Sequence, residues 1–415
     1  MKRLLILTAL PICTFLYADD LHQPSVGQLQ EQINALQNEV QALATASQTP
    51  ASGSERIHLW GYGEMGVTHP LSNGRNTQAD LARAVFGLGE DFDPTTRFNS
   101  EFEVEHAVAS SVDQGEFEVE QFYVDHDFNR HYRIRTGLFL IPAGFLNEHH
   151  EPTHYYGVQR NFVETLIIPS TWREGGLSLQ ATNDTGWAIT VGLTTDQDLS
   201  VWNFQPNPSS ILTALDLENT NTAPLQQTHQ ELQLAHAQHP ATLLALEYQG
   251  TAGLDLGGTI FTGLASNSAD PVANQRITLS EVHARADFAC FELSMVSAYG
   301  QINHTAEVNA LHPDASLPMP AAFEGSYLQA VYVHPLQGNQ SINPFIRIER
   351  FNMASRYEGV TWSLPTNTTT LRADRVNTLG FNYYLTQRVV FKIDTQHFEQ
   401  QSNYNRIDFG MGVEL

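Results

Sequence analysis

From residue 56 to residue 415 the sequence alternates apolar and polar residues in long segments, which turn residues separate. The last segment shows the pattern most clearly, because one of its faces consists of Ile407, Phe409, Met411, Val413 and Leu415. A period of two places alternate side chains on opposite faces of a β-sheet. Most segments have ten to fourteen residues. Strands of soluble proteins average about five or six residues, whereas a tilted strand needs about nine to eleven to cross a bilayer. The pattern therefore predicts membrane-spanning strands.

Sixteen such segments follow one another along the chain. They are 57–67, 79–92, 97–109, 115–128, 132–140, 174–183, 186–195, 241–250, 253–264, 276–288, 290–302, 322–334, 341–353, 374–386, 388–400 and 404–415. Connections after even-numbered segments are tight, whereas most connections after odd-numbered segments are long, notably 141–173 and 196–240. Bacterial outer-membrane barrels have an even strand number, short turns at one end and longer loops at the other. A sheet can cross hydrocarbon only if it closes. The sequence therefore predicts an all-β fold, a 16-stranded antiparallel transmembrane β-barrel over residues 56–415.

A large secreted β-sandwich or β-propeller is the alternative fold for such a strand-rich chain. The absence of a repeat unit and the length of the segments favour the barrel. Aromatic residues near segment ends also favour it, because membrane proteins concentrate them at the lipid–water interfaces. These residues are Trp60, Phe92, Phe98, Phe128, Tyr132 and Trp187.

The first 55 residues follow a different pattern. Lys2 and Arg3 precede an apolar stretch that ends at Ala18, which is the layout of a secretory signal peptide over residues 1–18. In residues 19–48, apolar residues recur at alternating spacings of three and four, as in coiled-coil heptads. They are Val26, Leu29, Ile33, Leu36, Val40 and Leu43. We predict a short periplasmic coiled-coil helix there, with a single amphipathic helix packed on a body as the alternative. A linker over residues 49–55 follows.

Charge and motif content exclude several functions. The chain has 45 Asp and Glu against 21 Lys and Arg, a net charge of −24, so we predict no binding to nucleic-acid phosphates. The sequence contains no nucleophile elbow, phosphate-binding loop or HExxH pattern. We therefore predict that the chain is not an enzyme and has no cofactor. Cys290 is the single cysteine outside the signal peptide, which leaves no intramolecular disulfide.

One stretch resembles the corresponding region of porins of the phosphate-selective porin O and P type. It comprises residues 137–145 (GLFLIPAGF), 147–152 (NEHHEP), 156–161 and 168–176 (IPSTWREGG), and the glycine-rich run at 253–258 adds to it. The resemblance implies a 16-stranded trimeric barrel whose loop after the fifth strand narrows the pore. Some members of that family select phosphate through arginine ladders and a lysine cluster. Lys392 is the single lysine after the signal peptide, so only general porin function carries over.

Charged residues on the polar face of the early strands are the candidate pore lining, because lumen charges filter solutes. They are Arg83, Glu101, Glu103, Glu105, Glu118, Glu120, Arg133 and Arg135. Opposed acidic and basic rows would create a transverse field across the channel. The alternative is that these charges pair with one another within the wall.

Loop 141–173 is the candidate constriction, since it is far longer than an ordinary hairpin loop and mixes large apolar with charged residues. Its candidate site residues are Glu148, His149, His150, Glu151, Arg160 and Glu164. Adjacent histidines without helical spacing are weak evidence for zinc, so we predict solvated loop residues and no metal site. Histidine in a pore lining would make it sensitive to pH.

These features together predict a porin for passive diffusion of small hydrophilic solutes or ions, in the outer membrane of a Gram-negative bacterium. We expect a homotrimer that contacts the lipid bilayer. The excess of carboxylates favours cations, although the arginine rows oppose this locally. The alternative function is a structural barrel that anchors the N-terminal segment as a periplasmic tether.

Overall fold

A computed structural model describes residues 56–72, 76–107, 115–205, 223–265, 272, 274–360 and 373–415. The signal peptide, coiled-coil segment and linker predicted over residues 1–55 lie outside the described residues. Everything below concerns the described ranges.

Sixteen antiparallel strands form a closed barrel, as predicted. They are β1 (Ile57–Pro70), β2 (Gln78–Asp93), β3 (Thr96–Glu105), β4 (Phe117–Asn129), β5 (Tyr132–Leu140), β6 (Arg173–Thr182), β7 (Trp187–Thr194), β8 (Ala241–Thr251), β9 (Leu254–Leu264), β10 (Arg276–Phe288), β11 (Phe291–Ile302), β12 (Ala322–Tyr332, continued by His334–Pro335), β13 (Ser341–Arg356), β14 (Ala373–Thr386), β15 (Val389–Phe398) and β16 (Arg406–Glu414). Each strand pairs with the next, and β16 pairs with β1 from Tyr62↔Glu414 to Pro70↔Arg406. This last pairing closes the sheet.

Among the described residues, helical structure is limited to short pieces in the connections. They are a π-helical turn (Val163–Ile167), two 3₁₀ turns (Leu199–Val201 and Ser402–Tyr404), α1 (Pro224–Thr228) and α2 (Thr305–Leu311). None of these helices is long and apolar enough to cross a membrane.

The short turns all lie at one end of the barrel, and side-chain oxygens shape several of them. Asp93 accepts a hydrogen bond from the backbone N–H of Thr95 at 2.8 Å, and Asn183 accepts one from Thr185 at 2.9 Å. Asx residues favour such turns because their side chains cap the backbone two residues ahead. The long connections, including 141–172, lie at the opposite end. We call these two ends the short-turn end and the long-loop end.

The outward face of the barrel is apolar along most strands. Its exposed side chains include Phe86, Phe122, Leu179, Val191, Leu246, Ile260, Val282, Leu328, Ile348, Leu379 and Phe409. Aromatic residues collect near the short-turn end on this face, namely Phe128, Tyr132, Trp187, Phe288 and Phe291. The alternate positions of the same strands carry polar residues and face the interior, as period-two alternation requires.

Trp60 departs from its predicted place among the interfacial aromatic residues. Its indole N–H donates to Glu101 at 2.7 Å, so the side chain lies on the inward face. The ring covers Gly87, where a Cβ atom would overlap it. The assignment of Trp60 to the aromatic girdle is therefore wrong, because the period-two phase that points Glu64 inward also points Trp60 inward.

The hydrophobic core lies between the inner wall and the long connection after β5. Phe162, Leu166, Ile167 and Trp172 of this connection are at most 1 % exposed. They pack against inward-facing apolar residues of the wall, including Phe261, Leu279, Phe323, Phe351 and Phe398. Fully burying one such side chain stabilises the fold by about 1.5–3 kcal/mol. The interior of this barrel is thus partly filled.

Candidate functional site

The loop 141–172 leaves the end of β5 and contacts the inward face of strands across the barrel. The hydroxyl of Thr153 donates to Glu414 of β16 at 2.7 Å, and the N–H of Val158 donates to Asp394 of β15 at 2.6 Å. Farther along, the N–H of Phe162 donates to Glu349 of β13 at 2.6 Å. Since β5 and β13–β16 are far apart around the sheet, the loop crosses the interior.

Asn147 joins the two ends of this loop. Its amide nitrogen donates to the carbonyl oxygens of Ile141 at 2.6 Å and Trp172 at 2.8 Å, while its oxygen accepts the N–H of Trp172 at 2.6 Å. These three bonds close the loop at its base. Sequence reasoning missed Asn147, and the run of residues around it offered no signal for this role.

Glu164 organises the middle of the loop. It accepts the backbone N–H groups of Phe145 at 2.6 Å and Leu146 at 2.8 Å, and the hydroxyl of Tyr327 on β12 at 3.0 Å. Only 2 % of Glu164 is exposed. Arg160 is also buried, and its guanidinium donates to Ser170. Of the six loop residues predicted at the constriction, Glu164, Arg160 and His150 are therefore buried anchors.

Glu148, His149 and His154 form the free surface of the loop, and Glu151 is half-buried beside them. The Nδ1 of His154 lies 2.9 Å from a carboxylate oxygen of Glu151. Burial disfavours the charged form of Glu151, but the hydrogen bond with His154 outweighs it and lowers the pKa of Glu151 to about 2. The same bond raises the pKa of His154, with burial opposing it. This exposed surface of the loop therefore carries charged groups.

All eight predicted wall residues project to the inward face, but four of them are covered. Arg83, Glu101, Glu103 and Glu120 are each at most 6 % exposed. The backbone carbonyl of His150 accepts a hydrogen bond from the Arg83 guanidinium. The loop therefore buries these four side chains against the wall, whereas the sequence analysis predicted that they line the open pore. Sequence periodicity fixes the face of a strand but carries no information on what covers it.

We refer to Tyr62, Arg83, Glu101, Glu103, Glu120 and His150 as the wall–loop cluster. Arg83 donates to Glu64 at 2.7 Å and lies 3.9 Å from Glu103. The hydroxyl of Tyr62 lies 2.5 Å from Nε2 of His150 and 3.2 Å from Glu120. Carboxylates outnumber the guanidinium in this cluster.

Arg133 and Arg135 remain partly exposed on β5 and pair with aspartates of β4. Arg135 contacts both oxygens of Asp125, at 2.8 and 3.1 Å, and Arg133 donates to Asp127 at 2.7 Å. The guanidinium of Arg135 also lies 4.0 Å from the ring centroid of Tyr123. The sequence analysis did not select the two aspartates, because they follow Glu120 by five and seven residues and a β-bulge near Glu120 reverses the alternation of β4. Arg133 and Arg135 therefore pair with charged residues of the neighbouring strand.

A cavity of about 300 Å³ opens near the long-loop end of the interior. Glu105 and Glu118, both predicted, line it together with Arg173 and Glu231. The guanidinium of Arg173 bridges the two carboxylates of Glu118 and Glu231, at 2.6 and 2.9 Å. Arg173 and Glu231 were not among the predicted residues, because Arg173 begins β6 directly after the long loop and Glu231 lies in the irregular connection between β7 and β8, where strand periodicity gives no information.

Comparisons with known proteins agree with this architecture. No protein-family model matches the chain. An uncharacterized protein of Aquifex aeolicus (strain VF5) is 28 % identical over 284 residues, which are 66 % of this chain and 61 % of that protein. The chain thus spans less than two thirds of the length of this relative.

Three solved structures share the fold. OmpF of Salmonella typhi, in a complex with daunomycin, superposes with a TM-score of 0.55 and 11 % identity over 86 % of this chain and 97 % of its own. The anion-selective porin of Comamonas acidovorans gives 0.51 and 9 %, over 86 % and 99 %. A loop L8 deletion mutant of OmpT, an outer membrane protein of Vibrio cholerae, gives 0.50 and 7 %, over 86 % and 99 %. At these identities the likeness extends to the fold alone.

Proposed function

We propose that this chain is an outer-membrane porin, through which small hydrophilic solutes and ions diffuse passively. The observation that carries the proposal is a closed sheet with an apolar outer face and a charged interior that one loop crosses. In a closed sheet the backbone N–H and C=O groups of every strand can form hydrogen bonds with a neighbouring strand. This pairing is required in hydrocarbon, where no water can bind these groups. The fold shared with a porin supports the same reading.

Loop 141–172 sets the limiting diameter of the pore in this proposal. Its apolar residues pack on one part of the inner wall, and its polar groups bond β13, β15 and β16. The remaining aqueous path runs past the free surface of Glu148, His149 and His154. A rigid loop with a charged free surface is suited to filtering solutes by size and charge.

The cavity at the long-loop end favours cations over anions. Its lining has seven carboxylates, from Glu64, Asp80, Glu103, Glu105, Glu116, Glu118 and Glu231. Four cationic side chains oppose them, from Arg83, Arg160, Arg173 and Lys392. Carboxylate-lined openings raise the local concentration of cations. We therefore propose weak cation selectivity.

Phosphate selectivity does not form part of this proposal. Lys392 is buried, and its ammonium group lies 3.4 Å from the ring centroid of Tyr155. A single covered lysine offers no cluster for phosphate. From the resemblance to phosphate-selective porins we therefore carry over the general architecture and not the phosphate selectivity.

Reconstitution of the full chain into planar bilayers tests the proposal. We expect stepwise ion currents, and a zero-current potential of cation-selective sign under a potassium chloride gradient. An anion-selective sign would show that Arg133 and Arg135 govern the path rather than the carboxylates. Silence from correctly assembled barrels would instead favour a structural barrel that anchors a periplasmic tether.

We also propose that the protein is a homotrimer with its N-terminal segment in the periplasm of a Gram-negative bacterium. The heptad spacing before the barrel and the family resemblance motivate this state. On the outer face, Phe86 stacks on Phe102 at 5.4 Å and lies 6.5 Å from Phe117, which supplies an aromatic contact surface. Mass measurement in mild detergent, with and without residues 19–50, tests it. A monomer in both forms would contradict a trimer.

A further inference from the structure

The wall–loop cluster concentrates negative charge away from water. Glu101, Glu103 and Glu120 lie on neighbouring strands and are 6 %, 2 % and 0 % exposed. Arg83 is the guanidinium nearest to them, and it also pairs with Glu64. Buried carboxylates are costly unless they are paired, hydrogen-bonded or bound to a metal. A further positive charge in the cluster, from a cation or a proton, would offset this excess of carboxylates.

Three of these groups converge on one point. Glu101, Glu120 and His150 each offer one ligand atom, and the three atoms all lie within 4.8 Å of one another. With bonds of about 2.0–2.2 Å and tetrahedral coordination, the ligand atoms of Zn²⁺ lie about 3.3–3.6 Å apart. Small side-chain movements would thus bring all three atoms into contact with a single ion.

The groups around these atoms prepare them for such an ion. Nδ1 of His150 lies 3.0 Å from the carbonyl oxygen of Asn147, which can only accept, so Nδ1 carries the proton. Nε2 then offers its lone pair, with the hydroxyl of Tyr62 at 2.5 Å and a carboxylate oxygen of Glu120 at 3.8 Å. Histidines that bind metals commonly donate their other N–H to a carbonyl in this way. Oε1 of Glu120 is buried and has no hydrogen-bond partner among the described residues. Glu101 accepts from Trp60 and Gln121, but a carboxylate has lone pairs to spare.

We propose that Glu101, Glu120 and His150 bind a divalent transition-metal cation such as Zn²⁺ or Mn²⁺. One imidazole and two carboxylates suit these ions, whereas Ca²⁺ prefers a shell of oxygen ligands. The phenol oxygen of Tyr62 lies next to the same point, 2.5 Å from Nε2 of His150. Glu103 and Arg83 line the cavity at the long-loop end, which provides a route of entry.

Such an ion would join the constriction loop to the wall, since His150 belongs to the loop while Glu101 and Glu120 belong to β3 and β4. Neither the loop nor the strands alone supply a complete site. This explains why spacing along the sequence does not reveal it, because the three ligands become neighbours only when the loop enters the barrel.

Electron paramagnetic resonance of the full-length protein in detergent, stripped with a chelator and titrated with MnCl₂, tests the proposal. We expect one tightly bound Mn²⁺ per chain with hyperfine coupling to an imidazole nitrogen. His150→Gln should abolish this coupling and weaken binding by at least about 100-fold, since even residues outside the first ligand shell cost 10–100-fold. Glu120→Gln, which is isosteric, should weaken binding similarly while leaving the nitrogen coupling detectable at high Mn²⁺.

His149→Gln is the matched control, because His149 belongs to a separate, more exposed group with Glu151 and His154. This variant should bind Mn²⁺ as the parent does. Loss of binding in His149→Gln with retention in His150→Gln would move the ion to the exposed group and overturn the proposal. Weak, non-stoichiometric binding to the parent protein would overturn it too, leaving protons to neutralise the cluster. If His150→Gln does not assemble, two other measurements test the proposal. They are the Mn²⁺ affinity of Glu120→Gln and the nitrogen coupling of Mn²⁺ bound to the parent protein.

Discussion

The loop 141–172 meets the barrel wall in two chemically different ways. Towards β9–β15, Phe162 packs on Phe351 and Phe398, with ring centroids 5.3 and 5.4 Å apart, and Trp172 meets Phe261 at 4.6 Å. Towards β1–β4, the wall–loop cluster joins His150 to Tyr62 and Arg83 through polar contacts. We call these the apolar contact and the polar contact.

The difference between the apolar and the polar contact shows how one loop can be held firmly in the barrel and still respond to protons or cations. Apolar packing is non-directional and insensitive to ions or pH, so it fixes the loop inside the barrel. Polar groups out of water depend on charge balance, so a proton or a cation there can change how tightly the loop is held. The apolar contact therefore accounts for the presence of the loop in the pore, and the polar contact for its adjustment.

Removal of both contacts has the largest expected effect. Deleting residues 147–165 takes out the part of the loop that crosses the interior, so single-channel conductance should rise severalfold and larger solutes should pass. Liposome swelling with sugars of increasing size measures the cutoff. Deletion of residues 361–371, in a different long connection, controls for shortening the chain. Unchanged conductance in assembled barrels would show that the loop does not limit the pore.

The next largest effect concerns the apolar contact alone. Phe162→Ala should lower the free energy of unfolding by about 3–5 kcal/mol, because a buried aromatic ring is replaced by a cavity. Urea denaturation in lipid vesicles, followed by tryptophan fluorescence, measures this change. Phe128→Ala removes an outward ring that is 59 % exposed, and its loss should be clearly smaller. Equal losses would mean that the core between loop and wall contributes little to stability.

The sequence predicted the wall well because a strand has a fixed period. Its alternation placed Glu103 and Arg135 on the correct face, and the turn residues marked most strand ends. The same reasoning could have placed Trp60 inward, since it precedes Glu64 by four residues. By contrast, the aspartates that pair with Arg133 and Arg135 are out of phase with Glu118 and Glu120, because a β-bulge interrupts the alternation of β4.

The site could not be predicted to the same degree, because it depends on the path of an irregular loop. Glu101, Glu120 and His150 are separated by 19 and 30 residues, and no local pattern indicates that they meet. The burial of Glu164 follows from backbone N–H groups that point at it only after the loop has folded. A charged residue in a long loop therefore remains ambiguous between lining and anchoring until its partners are known.

A smaller effect is expected at the edge of the polar contact. Trp60→Phe keeps a ring over Gly87 but removes the N–H that donates to Glu101. A buried carboxylate that loses a donor costs about 1–3 kcal/mol, so the free energy of unfolding should fall by less than in Phe162→Ala. Trp187→Phe is the matched control, since Trp187 faces outward and is 43 % exposed. A loss in Trp60→Phe no greater than in Trp187→Phe would show that Glu101 is held by other groups.

The smallest effect belongs to the free surface of the loop, where His154 and Glu151 form an ion pair. The pKa of His154 is raised, so the stabilisation that its positive charge provides is fully present below its ordinary pKa. This stabilisation is lost as the pH rises through the raised pKa. The pKa of Glu151 is lowered to about 2, so the stabilisation that its negative charge provides is fully present above its ordinary pKa and is lost only in strong acid. Glu414 adds to the shift in His154, and Arg285 opposes it.

The pair should therefore stabilise the fold most at mildly acid pH. Because His154 is largely open to solvent, the effect should not exceed about 1 kcal/mol. Unfolding free energies of the parent and of His154→Gln, measured at about pH 5.5 and about pH 8.5, test this. The parent should be the more stable protein at the lower pH, and the difference should shrink at the higher pH, where His154 loses its charge. A difference that grows with pH would mean that His154 acts as a neutral hydrogen-bonding group and not as a cation.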